Sequence, residues 1–296
     1  MNAADVSASV DLRRAPLERR ALRSAMLTGG AWLVAVIAAV PLLSVLYMLV
    51  SHGGARLNVE ALTTLPPAGF EMGGGFGNAL VGTLVVVALG AAIAVPVGIA
   101  AAVFLAELGS TSSLANVARF ATKTLTGLPS ILAGVFAYAL VVLVTGTYSA
   151  PAGGVALSLL MVPTVILTAE EALKMVPKIM KDAAYGMGCT RTQVIARVLL
   201  PTALPGILTG VMLAVARAAG ETAPLLFTAL FSNYWLYQDG HLGLMQPTAS
   251  LAVLIYNFSG MPFDNQIELA WAASLVLVLI VLVINVASRL LGKPKI

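Results

Sequence analysis

Long uncharged apolar runs alternate with short charged segments along this chain of 296 residues. A helix needs about 20 mostly apolar residues to cross a hydrocarbon core roughly 30 Å thick. Residues 24–55 and 72–106 each provide one such run, but the run at 124–169 is too long for one helix at about 1.5 Å per residue. Gly, Pro and Ser residues at 145–154 mark a turn that divides it. The pattern predicts six spans, the last two near 203–231 and 269–288.

Composition supports an all-α integral membrane protein. Hydrophobic residues make up 59% of the chain and charged residues 10%, against roughly 25% charged residues in soluble domains. Cys189 is the single cysteine, which excludes an internal disulfide and a multi-cysteine metal site. With only His52 and His241 available, we expect no metal site.

The basic residues predict the orientation of the chain. A net charge of +4 is compatible with nucleic acid as a partner, but the placement of the charges indicates membrane topology instead. If six spans are drawn, fifteen of the seventeen Lys and Arg residues fall on the side of the two termini, Arg56 falls on the other side and Arg217 lies within a span. The positive-inside rule therefore predicts cytoplasmic termini.

This topology gives a simple division of the chain. We expect a cytoplasmic N-terminal segment at 1–25, a transmembrane domain at 26–291 and a cytoplasmic tail at 292–296. The first span follows a basic segment as a signal peptide would, but it is long and lacks a clear small-residue cleavage site, so we interpret it as retained.

The connection between the fourth and fifth predicted spans has helix signals of its own. Pro177 suits the first turn of a helix, and Gly188 suits a position just beyond its end. Thr190 and Gln193 have the spacing of a capping box that opens a second helix, and Pro201 limits how that helix continues. We expect two short helices with a glycine bend between them.

The same connection, about residues 175–202, resembles a known motif. The stretch DAAYGMGCTRTQVIARVLLP is similar to the cytoplasmic EAA motif of ABC-importer permeases. The positions in register with that motif are Asp182, Ala183, Ala184, Gly188, Val198, Leu200 and Pro201. Asp182 replaces Glu and Val198 replaces Ile. The resemblance implies that this loop docks on a separate ATPase subunit; the alternative is an ordinary amphipathic helix on the membrane surface.

The chain lacks the motif for binding ATP itself. No GxxxxGK[ST] sequence, which would cradle phosphates, occurs in it. We therefore expect no cofactor on this chain, with ATP and Mg²⁺ bound by partner subunits.

Two charges interrupt the predicted fifth span. Arg217 and Glu221 lie four positions apart, and an arginine at the centre of a membrane helix costs about 2.5–3.5 kcal/mol on insertion scales. On one helical face, pointing into the bundle, they could meet each other or jointly face a cavity. One interpretation is a structural ion pair. In the other, the planar donors of Arg217 bind an oxyanion, Glu221 holds the arginine when the path is empty, and Thr222 adds a hydroxyl.

The surrounding sequence narrows the resemblance. The stretch ARAAGETAPLLFTALF resembles the fifth-span signature of the A-type permease of phosphate ABC importers, the PstA family. GLPSILAGVFAY at 127–138 and PTASLAVLIYNF at 247–258 also resemble segments of that family, in the same order. The resemblance covers about residues 70–290.

That resemblance implies a type I ABC-importer permease, multi-pass in the inner membrane and without catalytic residues. The implied partners are a second permease (PstC-like), two ATPase subunits (PstB-like), an extracytoplasmic phosphate-binding protein (PstS-like), phosphate and membrane lipid. It assigns Arg217, Glu221 and Thr222 to the substrate path. Two rivals stay open: a permease for another oxyanion such as sulfate or molybdate, and a secondary transporter in which Glu221 relays protons. An intramembrane enzyme is remote, because neither HExxH nor GxSxG occurs.

Overall fold

The computed structural model describes residues 19–238 and 240–291. Most of the predicted N-terminal segment (residues 1–18) and the whole predicted tail (292–296) lie outside the described residues. The chain forms two units, Met1–Met48 and Leu49–Ile296. Helix α1 is the described part of the first unit, and all other elements belong to the second.

The described chain is almost entirely helical. Its helices are α1 (Arg19–Met48), α2 (Gly54–Arg56), α3 (Val59–Thr63), α4 (Gly77–Val103), α5 (Ser113–Thr126), α6 (Ser130–Ala137), α7 (Leu143–Thr145), α8 (Ala150–Lys174), α9 (Lys178–Gly186), α10 (Arg191–Val194), α11 (Leu200–Ala219), α12 (Ala223–Leu226), α13 (Leu251–Ser259) and α14 (Asp264–Leu291). Wider π-helical turns occupy Leu49–Gly53, Phe104–Leu108, Tyr138–Val142 and Ile195–Leu199. Strands β1 (Tyr237–Gln238) and β2 (His241–Leu242) form a small antiparallel hairpin.

Among the described residues, five helical runs are long and apolar enough to cross a membrane. They are Leu22–Arg56, Gly77–Leu108, Ala150–Lys174, Arg191–Ala219 and Asp264–Ser288. A sixth crossing is present if the bent pair Ser113–Thr126 and Ser130–Thr145 counts as one span. The all-α membrane fold predicted from the apolar runs is confirmed.

Helix α8 lies at the centre of the second unit. It packs against α4, α11 and α6, and Leu157, Met161 and Val165 on it are fully buried. Glycine allows the close contact with α4, because a Cβ on Gly154 would lie 2.7 Å from the Cβ of Leu89. In a membrane, where lipid is as apolar as the side chains, such close backbone packing is a main source of helix association.

The third span differs from the prediction. The helical rod begins only at Ser130, and α5 before it makes an angle of 106° with it. Gly127 ends α5, and Pro129 disfavours a helical conformation at the residue before it, so the chain turns between them. The turn to α8 is also shorter than predicted, from Gly146 in the left-handed region (φ 73°) to the N-cap Ser149.

The second half of the predicted cytoplasmic loop also differs. Thr190 and Gln193 do form the predicted capping box, but the helix that starts there does not stop at Pro201. It continues through the π-helical turn Ile195–Leu199 into α11 as one run to Ala219. The expectation of a second short helix was therefore wrong. Pro201 comes just after the π-helical turn Ile195–Leu199, so its missing N–H falls where the regular ladder of hydrogen bonds is already interrupted.

Candidate functional site

The two charges of the predicted fifth span lie where its helix ends. Arg217 occupies the last turn of α11, Gly220 caps it, and Glu221 lies just beyond. The fifth helix thus stops earlier than the predicted 231, and the two residues do not share one continuous helical face. The side chains still meet, with Nε of Arg217 3.5 Å from Oε1 of Glu221. The carboxyl end of a helix also favours a cation, so both the helix dipole and Glu221 stabilise the guanidinium.

The break after α11 is held by packing behind it. Thr222 precedes the short helix α12, which lies against α6 so closely that a Cβ on Gly134 would be 2.6 Å from the Cα of Pro224. The hydroxyl of Thr228 donates to the carbonyl of Pro224 at 2.8 Å. At membrane depth, non-helical backbone is tolerated only where it is buried in protein or lines a water-filled cavity. Glu221 and Thr222 are partly buried in this chain, whereas Gly220 is exposed, so the break at Gly220 requires a further protein surface or water beside it.

Arg217 faces outward from this chain. Its side chain is 54% exposed, whereas that of Glu221 is 17% exposed. The expectation that both point into the bundle is therefore wrong for Arg217 within this chain. A second protein surface must cover the guanidinium if it is to be kept away from lipid.

The exposed face of α11 supports such a surface. Thr202, Thr209, Leu213 and Arg217 are all exposed and recur at helical spacing, so they lie along one stripe. The hydroxyls of Thr202 and Thr209 donate to the carbonyls of Val198 and Pro205 one turn back, so neither needs an outside partner. The charge of Arg217 is therefore the group on this face that acyl chains do not accommodate. Neither threonine is among the predicted site residues, although counting back from Arg217 in helical steps identifies both.

The predicted ATPase-docking loop forms a separate surface at the other end of α11. Helix α9 follows Pro177, and Gly188 adopts a left-handed conformation (φ 82°) just past the helix, as predicted. Leu200, half-buried, and Pro201, exposed, begin α11, about 25 Å from Arg217 at 1.5 Å per residue.

The paired alanines of the motif face opposite ways. Ala184 is only 2% exposed and packs into the core, whereas Ala183 and Asp182 are exposed. Ile179 and Met187, one turn to either side of Ala183, are 76% and 77% exposed. The outer face of α9 is thus an apolar strip bordered by Asp182, suited to a protein partner.

Ion pairs fasten this loop to the rest of the chain. Lys181 donates to the carboxylate of Glu107, and Arg191 donates to the Glu107 carbonyl oxygen. Nearby, the buried Glu170 accepts from Nε of Arg119 at 2.7 Å and from Nζ of Lys174 at 2.5 Å. These four basic residues, which entered the topology prediction only as positive charges, therefore have carboxylate or carbonyl partners.

Comparison with known proteins identifies the class. Residues 94–293 match the family described as "Binding-protein-dependent transport system inner membrane component". The phosphate transport system permease protein PstA of Haemophilus influenzae is 38% identical over 276 residues, covering 93% of this chain and 96% of that protein. The chain belongs to the PstA permease family. It is a multi-pass inner-membrane permease of an ABC importer.

Other PstA proteins are similar at comparable levels. PstA of Yersinia pestis is 38% identical over 254 residues, covering 86% of this chain and 84% of its own length. The probable PstA of Methanocaldococcus jannaschii is 35% identical over 254 residues, covering 86% and 88%. The recognition of the PstA family from sequence is thus confirmed.

A solved structure supports the fold. A chain of the MetNI methionine ABC transporter in an inward-facing conformation superposes with a TM-score of 0.56 over 74% of this chain and 94% of its own length. Its sequence identity is 22%, so the similarity concerns the fold of the permease alone. Membership of this permease family implies ATPase subunits and a substrate-binding protein as partners.

Proposed function

We propose that this chain forms half of the path by which an ATP-driven importer moves inorganic phosphate. The observation that carries the proposal is Arg217, a permanent cation on the outward face of a helix that belongs to a membrane span. Its guanidinium offers planar donors that match an oxyanion, and Glu221 holds it in place when no anion is bound. The names of the PstA relatives support phosphate as that anion.

The exposed position of Arg217 supports a path shared between two permeases. A PstC-like permease would supply the facing wall and keep the guanidinium from lipid. Two PstB-like ATPases would bind ATP and Mg²⁺, and a PstS-like protein would deliver phosphate from outside. The termini and the loop around α9 would face the cytoplasm, as the basic residues predict.

The chain would contribute conformational change and no covalent chemistry. Closure of the ATPases on ATP would move α9, and the continuous helical run Arg191–Ala219 would carry that displacement toward Arg217. ATP then drives transport by favouring one of two conformations of the path.

Another oxyanion is the second candidate. An arginine beside a glutamate suits sulfate or molybdate by charge, but Glu221 can accept a hydrogen bond only from an anion that carries a proton. Phosphate retains a proton near neutral pH and sulfate does not, so Glu221 favours phosphate.

Uptake by vesicles tests this function. Vesicles with the reconstituted complex and the external binding protein should accumulate labelled phosphate only when ATP is present on the ATPase side. Excess unlabelled sulfate should compete weakly. Uptake driven by a pH gradient without ATP would support the proton-coupled alternative, and preferential uptake of sulfate or molybdate would support the other oxyanions.

The contact between Glu107 and Lys181 predicts a coupling defect. It joins α9 to the cytoplasmic end of the helical run Gly77–Leu108, and the two side chains are 14% and 20% exposed. Replacing Lys181 with Glu should lower phosphate transported per ATP hydrolysed by about tenfold, as expected for a coupled pair worth about 1.4 kcal/mol. The double variant Glu107→Lys with Lys181→Glu should regain most of the loss.

A matched charge reversal controls that experiment. Lys123→Glu, at an exposed site on α5, should leave the ratio unchanged. If the double variant is no better than Lys181→Glu alone, the ion pair does not carry the coupling.

A further inference from the structure

A charged cleft lies at the other end of the molecule from α9. It has a volume of about 600 Å³ and lies between the segment 51–56 and the first two turns of α14. Its polar and aromatic lining is formed by Ser51, His52, Arg56, Asp264, Glu268 and Trp271. None of these residues belongs to the proposed phosphate path or to the ATPase-docking loop.

The charges in this cleft are incompletely paired. Arg56 donates from Nη2 to Oδ1 of Asn265 at 3.1 Å, while its buried Nε has no hydrogen-bond partner among the residues that the structure describes. Asp264 and Glu268 are exposed one turn apart on α14, and within the described chain no hydrogen bond or ion pair reaches either carboxylate. The cleft therefore offers one guanidinium and, among the described residues, two unpaired carboxylates.

An apolar groove adjoins the cleft. It has a volume of about 300 Å³, lies between α13 and α14, and is lined by Ile255, Ser259, Ile267, Ala270, Trp271 and Ser274. Ile267 and Trp271 belong to both recesses and stand between them. An occupant that suits both recesses needs a charged end and a hydrocarbon end.

The position of the two recesses matches a membrane boundary. The cleft lies where the apolar run Leu22–Arg56 ends and the run Asp264–Ser288 begins, and the groove continues along the second run. Tryptophan is enriched at this level of membrane proteins, and Trp271 packs its ring 5.3 Å from that of His52. Lipid headgroups lie at the same level.

We propose that this cleft and groove bind a zwitterionic phospholipid with a primary ammonium headgroup, of the phosphatidylethanolamine class. The lipid phosphate would pair with the guanidinium of Arg56, and the ammonium would lie between Asp264 and Glu268. One acyl chain would pass Trp271 into the groove. A primary ammonium has three N–H donors for the carboxylates, whereas a quaternary choline has none and an anionic glycerol headgroup would meet two negative charges.

Retention of defined lipids by the purified complex tests the site. The full-length chain in its complex is exchanged into detergent with equal amounts of phosphatidylethanolamine, phosphatidylcholine and phosphatidylglycerol, and the bound lipids are counted by native mass spectrometry. The wild-type complex should retain phosphatidylethanolamine preferentially. Glu268→Gln should lower that retention by about tenfold through loss of a charge-assisted hydrogen bond, with no loss of phosphatidylglycerol. Arg56→Gln should also lower retention of phosphatidylethanolamine.

Two further variants keep the test decisive. Glu171→Gln removes an exposed carboxylate at the far end of α8 and should retain lipids as the wild type does. If Arg56→Gln fails to assemble, Asp264→Asn tests the ammonium side alone. Equal retention of the three lipids, or unchanged retention in Glu268→Gln, overturns the proposal. A third result also overturns it: if the Glu268→Gln complex keeps its lipids but loses the external binding protein or the second permease, the cleft is a protein contact.

Discussion

Replacing Arg217 with alanine should reduce ATP-driven phosphate uptake by at least about 100-fold while the transporter still assembles. A hydrogen bond to a charged group contributes about 1.5–3 kcal/mol, and 1.4 kcal/mol corresponds to a factor of ten. Loss of the two parallel donors of the guanidinium therefore suffices for this effect. Initial rates of labelled phosphate uptake into vesicles, at matched amounts of complex, provide the measurement.

Controls distinguish a role in transport from a structural ion pair. Arg217→Lys keeps the charge without the planar pair of donors and should retain partial activity. Arg23→Ala removes an exposed arginine from α1 and should transport normally. If Arg217→Ala prevents assembly and Glu221→Ala does the same, the pair holds the protein together, and the structural interpretation is correct.

Placing a glutamate at Ala183 should release the ATPase subunits. Ala183 lies at the centre of the exposed apolar strip formed with Ile179 and Met187 on α9. Docking would bury the new carboxylate without a partner, which costs several kcal/mol and weakens association by at least about 100-fold. Copurification of the ATPases with the tagged permease, and ATP hydrolysis by the purified material, should both fall.

The choice of Ala183 over its neighbour depends on the structure. Ala184 is buried, so Ala184→Glu would disrupt folding and give no information on docking. Ala68→Glu places the same charge at an exposed alanine outside the loop and should leave the ATPases bound. Undiminished copurification with Ala183→Glu would mean that the ATPases dock elsewhere.

Local signals in the sequence predicted much of the fold. A membrane span requires an apolar run, and Gly188 and the Thr190–Gln193 pair act within a few residues, so these features follow from composition and spacing. The continuation of the helix past Pro201 could not be predicted from these signals. A proline normally ends a helix, but here a π-helical turn precedes it and accommodates its missing N–H. The sharp bend at 127–129 lies within the uncharged run 124–169, so the charge pattern gave no sign that the helix is interrupted there.

The long-range ion pairs could not be predicted from the sequence. Lys181 and Glu107 are 74 positions apart, and Arg119 and Glu170 are 51 apart, so no periodicity relates them. The spacing of Arg217 and Glu221 predicted their contact, although Glu221 lies just past the end of α11. Arg217 faces outward because it lies on the exposed stripe of α11 with Thr209 and Leu213, and the sequence pattern does not tell which stripe of a span is left uncovered by the rest of the chain.

The reactivity of a cysteine at position 217 tests the central claim most directly. In a Cys189→Ser background, Arg217→Cys in the assembled transporter is treated with a charged, membrane-impermeant thiol reagent with and without ATP. Val283→Cys, an exposed apolar position on α14, serves as the comparison. The account predicts labelling at 217 that depends on ATP, and no labelling at 283. Absence of labelling at 217 in every nucleotide state would contradict it, since the residue would then not face an aqueous path.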